Sequence, residues 1–184
     1  MVRIIMNGCN GKMGQVITGI VAEDSQAEIV AGIDIYDGIK NTYPVFPNIE
    51  SCTVDADVII DFSTAKAVDG LLDYVQKKGI PVVLCTTGLS EEQLNRVSTV
   101  AEQAAVLKSA NMSLGINTIM KLLQEAVKVF APAGYDVEIV EKHHNQKLDA
   151  PSGTAIALAD SMNEAMNHQY EYIYDRSQRR QKRD

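Results

Sequence analysis

Two rhythms of apolar and polar positions alternate along the first hundred or so residues. Val2–Met6 has the length and composition of a strand. Over Lys12–Glu23, Met13, Val16, Ile17, Ile20 and Val21 recur at helical spacing and predict one apolar face. Glu28–Ile33 reads as a second strand, ending at Asp34. A polar, proline-punctuated stretch, Tyr36–Glu50, leads to a short strand expected near Cys52–Val54. Asp57–Phe62 is a buried-type strand, and Ser63 or Thr64 is placed to cap a helix running to about Lys78. Pro81–Cys85 and Ala105–Lys108 are further strands. Between them, Ser90-Glu-Glu-Gln93 is a capping box, in which each end residue satisfies an amide at the start of a helix. Repeated β-α-β units whose strands lack strict alternation predict an α/β fold built on a doubly wound parallel sheet.

The pattern changes within Ala110–Asn117. Ser113 can cap a helix that turns Ile116, Ile119, Met120, Leu123 and Val127 toward a core and ends near Pro132-Ala-Gly134. Val137–Val140 reads as a strand of another kind, because Asp136, Glu138 and Glu141 alternate with Val137 and Ile139, as in a sheet with one wet or interface-facing side. Two domains follow, 1–112 and 113–184, the second an α+β domain. Internal repeats and low-complexity tracts are missing.

Composition adds exclusions. Hydrophobic residues make up 46% of the 184 and charged residues 22%, enough to build a core. No apolar stretch approaches a membrane span, and the short apolar N-terminal run is broken by Asn7-Gly8, so a soluble, cytoplasmic protein is expected. Cys9, Cys52 and Cys85 lie far apart with no CxxC pair, which argues against structural disulfides and suits a reducing compartment. The net charge of −7 hides an asymmetry, since Arg176, Arg179, Arg180, Lys182 and Arg183 cluster at the end of the chain. The acidic remainder is a poor surface for nucleic acid. The basic cluster reads either as a solvated loop or as a lid over an anionic ligand.

Gly8-Cys9-Asn10-Gly11-Lys12-Met13-Gly14 follows a strand and opens a helix, a GxxGxxG variant of the dinucleotide fingerprint. The first glycine permits a tight turn, the second lets the backbone approach a pyrophosphate, and the third allows close helix–strand packing. Asp34, twenty positions past Gly14 at the end of the next strand, can accept hydrogen bonds from the adenosine ribose. The first domain is therefore expected to be Rossmann-type. NADH is the expected cofactor; NADPH stays open because Lys12 and Lys40 could meet a 2′-phosphate.

Glu141-Lys-His-His-Asn-Gln-Lys-Leu-Asp-Ala-Pro-Ser-Gly-Thr154 carries the most chemistry. Each part has a bland reading of its own. Adjacent histidines lack helical metal-site spacing and no cysteine is near, so no metal is expected. Loop histidines beside a lysine are commonly just solvated, and Ser152 or Thr154 could simply cap a helix. As one string, the loop resembles the E-x-H-H-x-x-K-x-D-A-P-S-G-T signature of the 4-hydroxy-tetrahydrodipicolinate (dihydrodipicolinate) reductase family. Gly8–Gly14 is similar to that family's GxxGxMG, Asp61-Phe-Ser63 to its DFS/DFT, and Cys85-Thr-Thr-Gly88 to its GTTG. Ser109-Ala-Asn-Met-Ser-Leu-Gly-Ile-Asn117 resembles its A-x-N-x-S-x-G-[IV]-N hinge. The matches run in family order over essentially the whole chain.

The resemblance implies NAD(P)H-dependent reduction of a cyclic dicarboxylate in lysine and diaminopimelate synthesis. It makes Lys147 the proton donor and His143 its acid/base or electrostatic partner, with His144, Gly153 and Thr154 holding substrate carboxylates. Cys85, Thr86, Thr87, Ser109, Ala110, Asn111 and Met112 would line the nicotinamide and its ribose. Cys85 departs from the family's common glycine, tolerable if its carbonyl or N–H makes the contact. A reactive thiol there cannot be argued from sequence. The resemblance also implies a homotetramer joined through the second domain's sheet. Family chains continue past Asp184, so an incomplete second domain, weak or absent activity and impaired assembly are expected. The competing reading is a non-catalytic NAD-binding module or an inactive fragment, against which the intact His143, Lys147, Gly153 and Thr154 set stands.

Overall fold

A computed structural model describes residues 1–145, 147 and 150–175. The chain divides into two compact units, Met1–Ala110 and Asn111–Asp184.

The first unit runs β1 (Val2–Asn7), α1 (Lys12–Ala22), β2 (Ala27–Ile33), β3 (Val45–Phe46), β4 (Val58–Asp61), α2 (Val68–Lys78), β5 (Val82–Leu84), α3 (Glu91–Ala101) and β6 (Val106–Lys108). Its sheet has the order β3-β2-β1-β4-β5-β6, and every pair is parallel. This is the doubly wound arrangement expected from the sequence, with the order reversing between β1 and β4. Ile5, Ile59, Val82 and Leu84 of the sheet and Leu71, Leu72 and Val75 of α2 form the centre of its core. Because crossover helices cover a parallel sheet, these strands read as apolar runs rather than alternating ones.

Local expectations fare unevenly. The capping box is present: Ser90 Oγ accepts from the Gln93 amide at 3.2 Å, and Gln93 Oε1 from the Ser90 amide at 3.1 Å. Neither Ser63 nor Thr64 caps α2, which is entered through a 3-10 turn at Ala65–Ala67. The Ser63 hydroxyl instead donates to Asp61 at 2.6 Å, a stronger, charge-assisted bond. The strand expected at Cys52–Val54 falls earlier, at Val45–Phe46, and Ile49–Ser51 is a 3-10 turn. The predicted face of α1 is only partly covered, with Met13, Val16 and Ile20 exposed.

Two helices organise the second unit, α4 (Leu114–Phe130) and α5 (Gly153–Ala165). They pack on each other, and the Ser161 hydroxyl donates to the Met120 carbonyl at 3.4 Å. Ser113 and Ser152 are the N-caps, accepting from Ile116 and Ala155. Of the expected α4 face, Val127 is buried, Ile116, Met120 and Leu123 are half-buried, and Ile119 is exposed. Val137–Val140 forms no strand, nor do residues 171–174, so the β part of the expected α+β character has no counterpart among the described residues. Alternation prepares a segment for a sheet, but a strand exists only where a neighbour completes its ladder.

Candidate functional site

In the first unit the predicted nucleotide residues collect at the carboxyl ends of the strands. Gly8 leaves β1 with φ +82°, and a Cβ there would lie 2.5 Å from the Phe62 carbonyl oxygen. A Cβ on Gly14 would strike the Gly8 and Cys9 backbone. Both positions therefore exclude side chains. Gly11 is the N-cap of α1, which no side chain caps, so its leading amides are left for an anion. Asp34 closes the turn from the other side. Its Oδ2 accepts the Asn10 amide at 2.9 Å and its Oδ1 the Tyr36 amide at 3.0 Å. This cradle fits the pyrophosphate and ribose of a nicotinamide dinucleotide. Lys12, Met13 and Lys40 are exposed around it.

Sequence reasoning missed the polar frame that holds the cradle. Asn10 donates to the Tyr36 carbonyl and accepts from Asn41 at 2.8 Å. Gln15 donates to the Cys9 carbonyl at 2.8 Å and to Asn41 at 3.1 Å. Asn41 lies in the polar excursion, where one more amide side chain carries no signal.

At the switch point, Asn7, Asp61 and Leu84 stand in register on β1, β4 and β5. Fully buried Asp61 accepts through Oδ1 from Asn7 at 2.7 Å and from Ser63, whose hydroxyl lies 3.5 Å from that of Thr86. The buried Oδ2 has no partner among the described residues. The Cys85 N–H donates to the Asp61 carbonyl at 2.9 Å, so of the two backbone groups considered for cofactor contact the carbonyl remains. Burial, then the Asp61 charge, pushes the Cys85 thiol up to about 11; burial, then Asp34, does the same to Cys9. Neither thiol is a nucleophile at neutral pH. Thr86 is buried and Thr87 exposed, while Ser109 is half-buried, its amide bonded to the Leu84 carbonyl, and is followed by exposed Ala110.

A larger open groove of about 480 Å³ lies between α2 and α3. Its Arg96 is already forked between Asp69 and Asp73, both at 2.6 Å, and Gln93 bonds to Asp69. These contacts clamp two helices together and leave no convergent group for chemistry.

The second unit holds the loop chemistry. A cavity of about 330 Å³ is lined by Glu141, His143, Ser152 and Thr154 together with apolar Ile116, Ile139 and Leu158. Ser152 occupies the Ala155 amide with its hydroxyl and the Ile156 amide with its carbonyl. The amides of Gly153 and Thr154 have no partner among the described residues and open the helix toward an anion. Asn111 donates to the Thr154 hydroxyl at 3.2 Å and accepts the Ser113 amide at 2.8 Å. Met112 is exposed. His143 Nδ1 lies 3.4 Å from Glu141 Oε2. Hydrogen bonds from Ser152, assisted by the charges of His143 and Lys147, hold the Glu141 carboxyl below the usual carboxylate range. Lys147 is half-buried, with its amide bonded to the His144 carbonyl at 3.3 Å, and His144 is exposed; neither is among the cavity's lining residues. Gln146, Leu148, Asp149 and the basic segment 176–184 lie outside the described residues. No group of three or more metal-ligating side chains occurs among the described residues, and no described helix is long and apolar enough to cross a membrane.

Comparison with known proteins bears on both halves. The family "Dihydrodipicolinate reductase, N-terminus" matches residues 2–112 and "Dihydrodipicolinate reductase, C-terminus" matches residues 115–183. The chain is 47% identical over 180 residues to a 4-hydroxy-tetrahydrodipicolinate reductase of Caldanaerobacter subterraneus subsp. tengcongensis. It is also 47% identical over 177 residues to that of Clostridium tetani. In both cases the match covers 96% of this chain and 69% of the relative. Among solved structures, a dipicolinate-bound dihydrodipicolinate reductase from Paenisporosarcina sp. TG-14 superposes with a TM-score of 0.76 at 31% identity. That match covers 100% of this chain and 71% of the other.

Proposed function

The chain belongs to the dihydrodipicolinate reductase family, and from that premise we propose how its own residues share the reaction. The family's step is the NAD(P)H-dependent reduction of 4-hydroxy-tetrahydrodipicolinate in lysine and diaminopimelate biosynthesis. The observation that carries the reading is the second-unit cavity, lined by Thr154 and His143 beside a helix start whose Gly153 and Thr154 amides have no partner among the described residues.

Gly8–Met13 and Asp34 hold the dinucleotide, and Cys85, Thr86, Thr87, Ser109, Ala110, Asn111 and Met112 receive its nicotinamide half. When bound, the cofactor supplies the hydride. The ligand is a cyclic dicarboxylate, in keeping with the dipicolinate on the Paenisporosarcina relative. Its carboxylates are taken by the Gly153 and Thr154 amides, the Thr154 hydroxyl and His144. Loss of the 4-hydroxyl as water leaves a conjugated imine-type ring, and hydride addition to that ring leaves negative charge that must be quenched by a proton. Lys147 steadies the developing charge and gives that proton, and His143 serves as its acid/base partner.

In a chain of the relatives' full length, Lys147→Ala lowers kcat by about 10²–10⁴-fold in NADH oxidation with freshly generated substrate and leaves NADH affinity unchanged. Near-normal kcat would overturn the assignment. Asp34 favours NADH, so kcat/KM is higher with NADH than with NADPH; a strong NADPH preference would reverse the reading of Asp34. A cytoplasmic homotetramer completes the proposal. It is supported by the exposed apolar side chains of the second unit, including Leu114, Leu122, Phe130 and Tyr135.

A further inference from the structure

The cavity contains one charged group to which the proposed chemistry gives no part. Glu141 and His143 are two positions apart in irregular chain, and both side chains reach the same cavity. The carboxylate divides its oxygens: Oε1 accepts the Ser152 amide at 2.8 Å and Oε2 faces His143 Nδ1 at 3.4 Å. An anion opposite Nδ1 favours a proton on that nitrogen, which in the neutral ring leaves Nε2 as an acceptor. We infer that Glu141 is a positioning residue that, anchored on Ser152 at the start of α5, fixes the orientation and tautomer of His143 so that Nε2 is its acceptor.

The inference rests on the catalytic reading of His143 and adds to it the group that makes the ring competent. It also ties the two parts of the ligand site together. The carboxylate that orients the histidine is bonded to the residue immediately before the Gly153 and Thr154 amides, so ring and anion site share one anchor. A glutamate serving only to staple the loop would need the Ser152 bond and nothing else.

Glu141→Gln separates these roles. The glutamine carbonyl can still accept the Ser152 amide, and the alternative amide orientation would set donor against donor. Its NH₂ then faces His143 Nδ1 and forces the proton to Nε2. The ¹⁵N-labelled chain, at a pH where imidazole is neutral, reports the tautomer through long-range ¹H–¹⁵N correlations, with His143 identified by its loss in His143→Gln. The expected result is an Nδ1–H ring in the native chain and an Nε2–H ring in E141Q. With it should come a roughly 10–100-fold loss of kcat, little change in NADH affinity and an unchanged Tm. An Nε2–H ring in the native chain, or the same tautomer in both, overturns the inference. A His143→Ala variant tells the two readings apart. Lost turnover there with full turnover in E141Q overturns the role of Glu141 alone. Full turnover in both overturns the catalytic reading of His143, and this one with it.

Discussion

Single residues in this chain are best understood through what surrounds them in space. The glycines at 8 and 14 and the acid at 34 announce themselves by spacing, because a turn that brings backbone against a ligand leaves few choices of residue. Asp61 does not announce itself. Its partner Ser63 sits in the same DFS string, but Asn7 becomes its neighbour only when β1 and β4 pair, 54 positions apart. Glu141 was legible as a letter of a signature, while its division between Ser152 and His143 required the fold. The cysteines yield a residue-scale prediction. Cys9 and Cys85 are held up to about 11, above the ordinary thiol value of 9.0, so they stay protonated in the folded chain. Their contribution to stability is fully present below pH 9, and it is lost as pH rises through about 11. Thiol-reactive dye at neutral pH should label the native chain negligibly and the urea-unfolded chain at all three cysteines; Tm should fall across that alkaline window.

Elements were legible wherever their cause was local. The α3 start needs only Ser90 and Gln93, three positions apart, and both bonds form. Ser90→Ala should lower stability by about 1 kcal/mol in urea unfolding, whereas Thr64→Ala, at a position that makes no capping bond, should change it little. The misjudged elements had distant causes. Val137–Val140 has the alternation of a strand and no described neighbour to complete it. Val45–Phe46 looked like part of an irregular excursion and is a strand because β2 lies beside it at Gly32 and Ile33.

For the whole molecule, two units of unequal finish emerge. The first buries two apolar clusters; the second leaves Leu114, Leu122, Val129, Phe130, Tyr135 and Val140 exposed. Surface of this kind calls for cover from other protein. Light scattering should therefore show the chain associating as concentration rises, and a dye that fluoresces on apolar surface should bind it until association occurs. A monodisperse monomer with no dye binding would count against this apolar surface as an interface. The chain divides into its two compact units after Ala110.

The parallel sheet also sets a timetable. Gly8 is walled by Phe62, and Asp61 must lie between β1 and β5 before Thr86 can approach Ser63. None of these meetings is between sequence neighbours, and long-range pairing is the slow part of folding. A ribosome that has released only the glycine turn has therefore made a fingerprint without a binding site. A nicotinamide dinucleotide can reward the finished crevice, but it cannot guide the chain toward it.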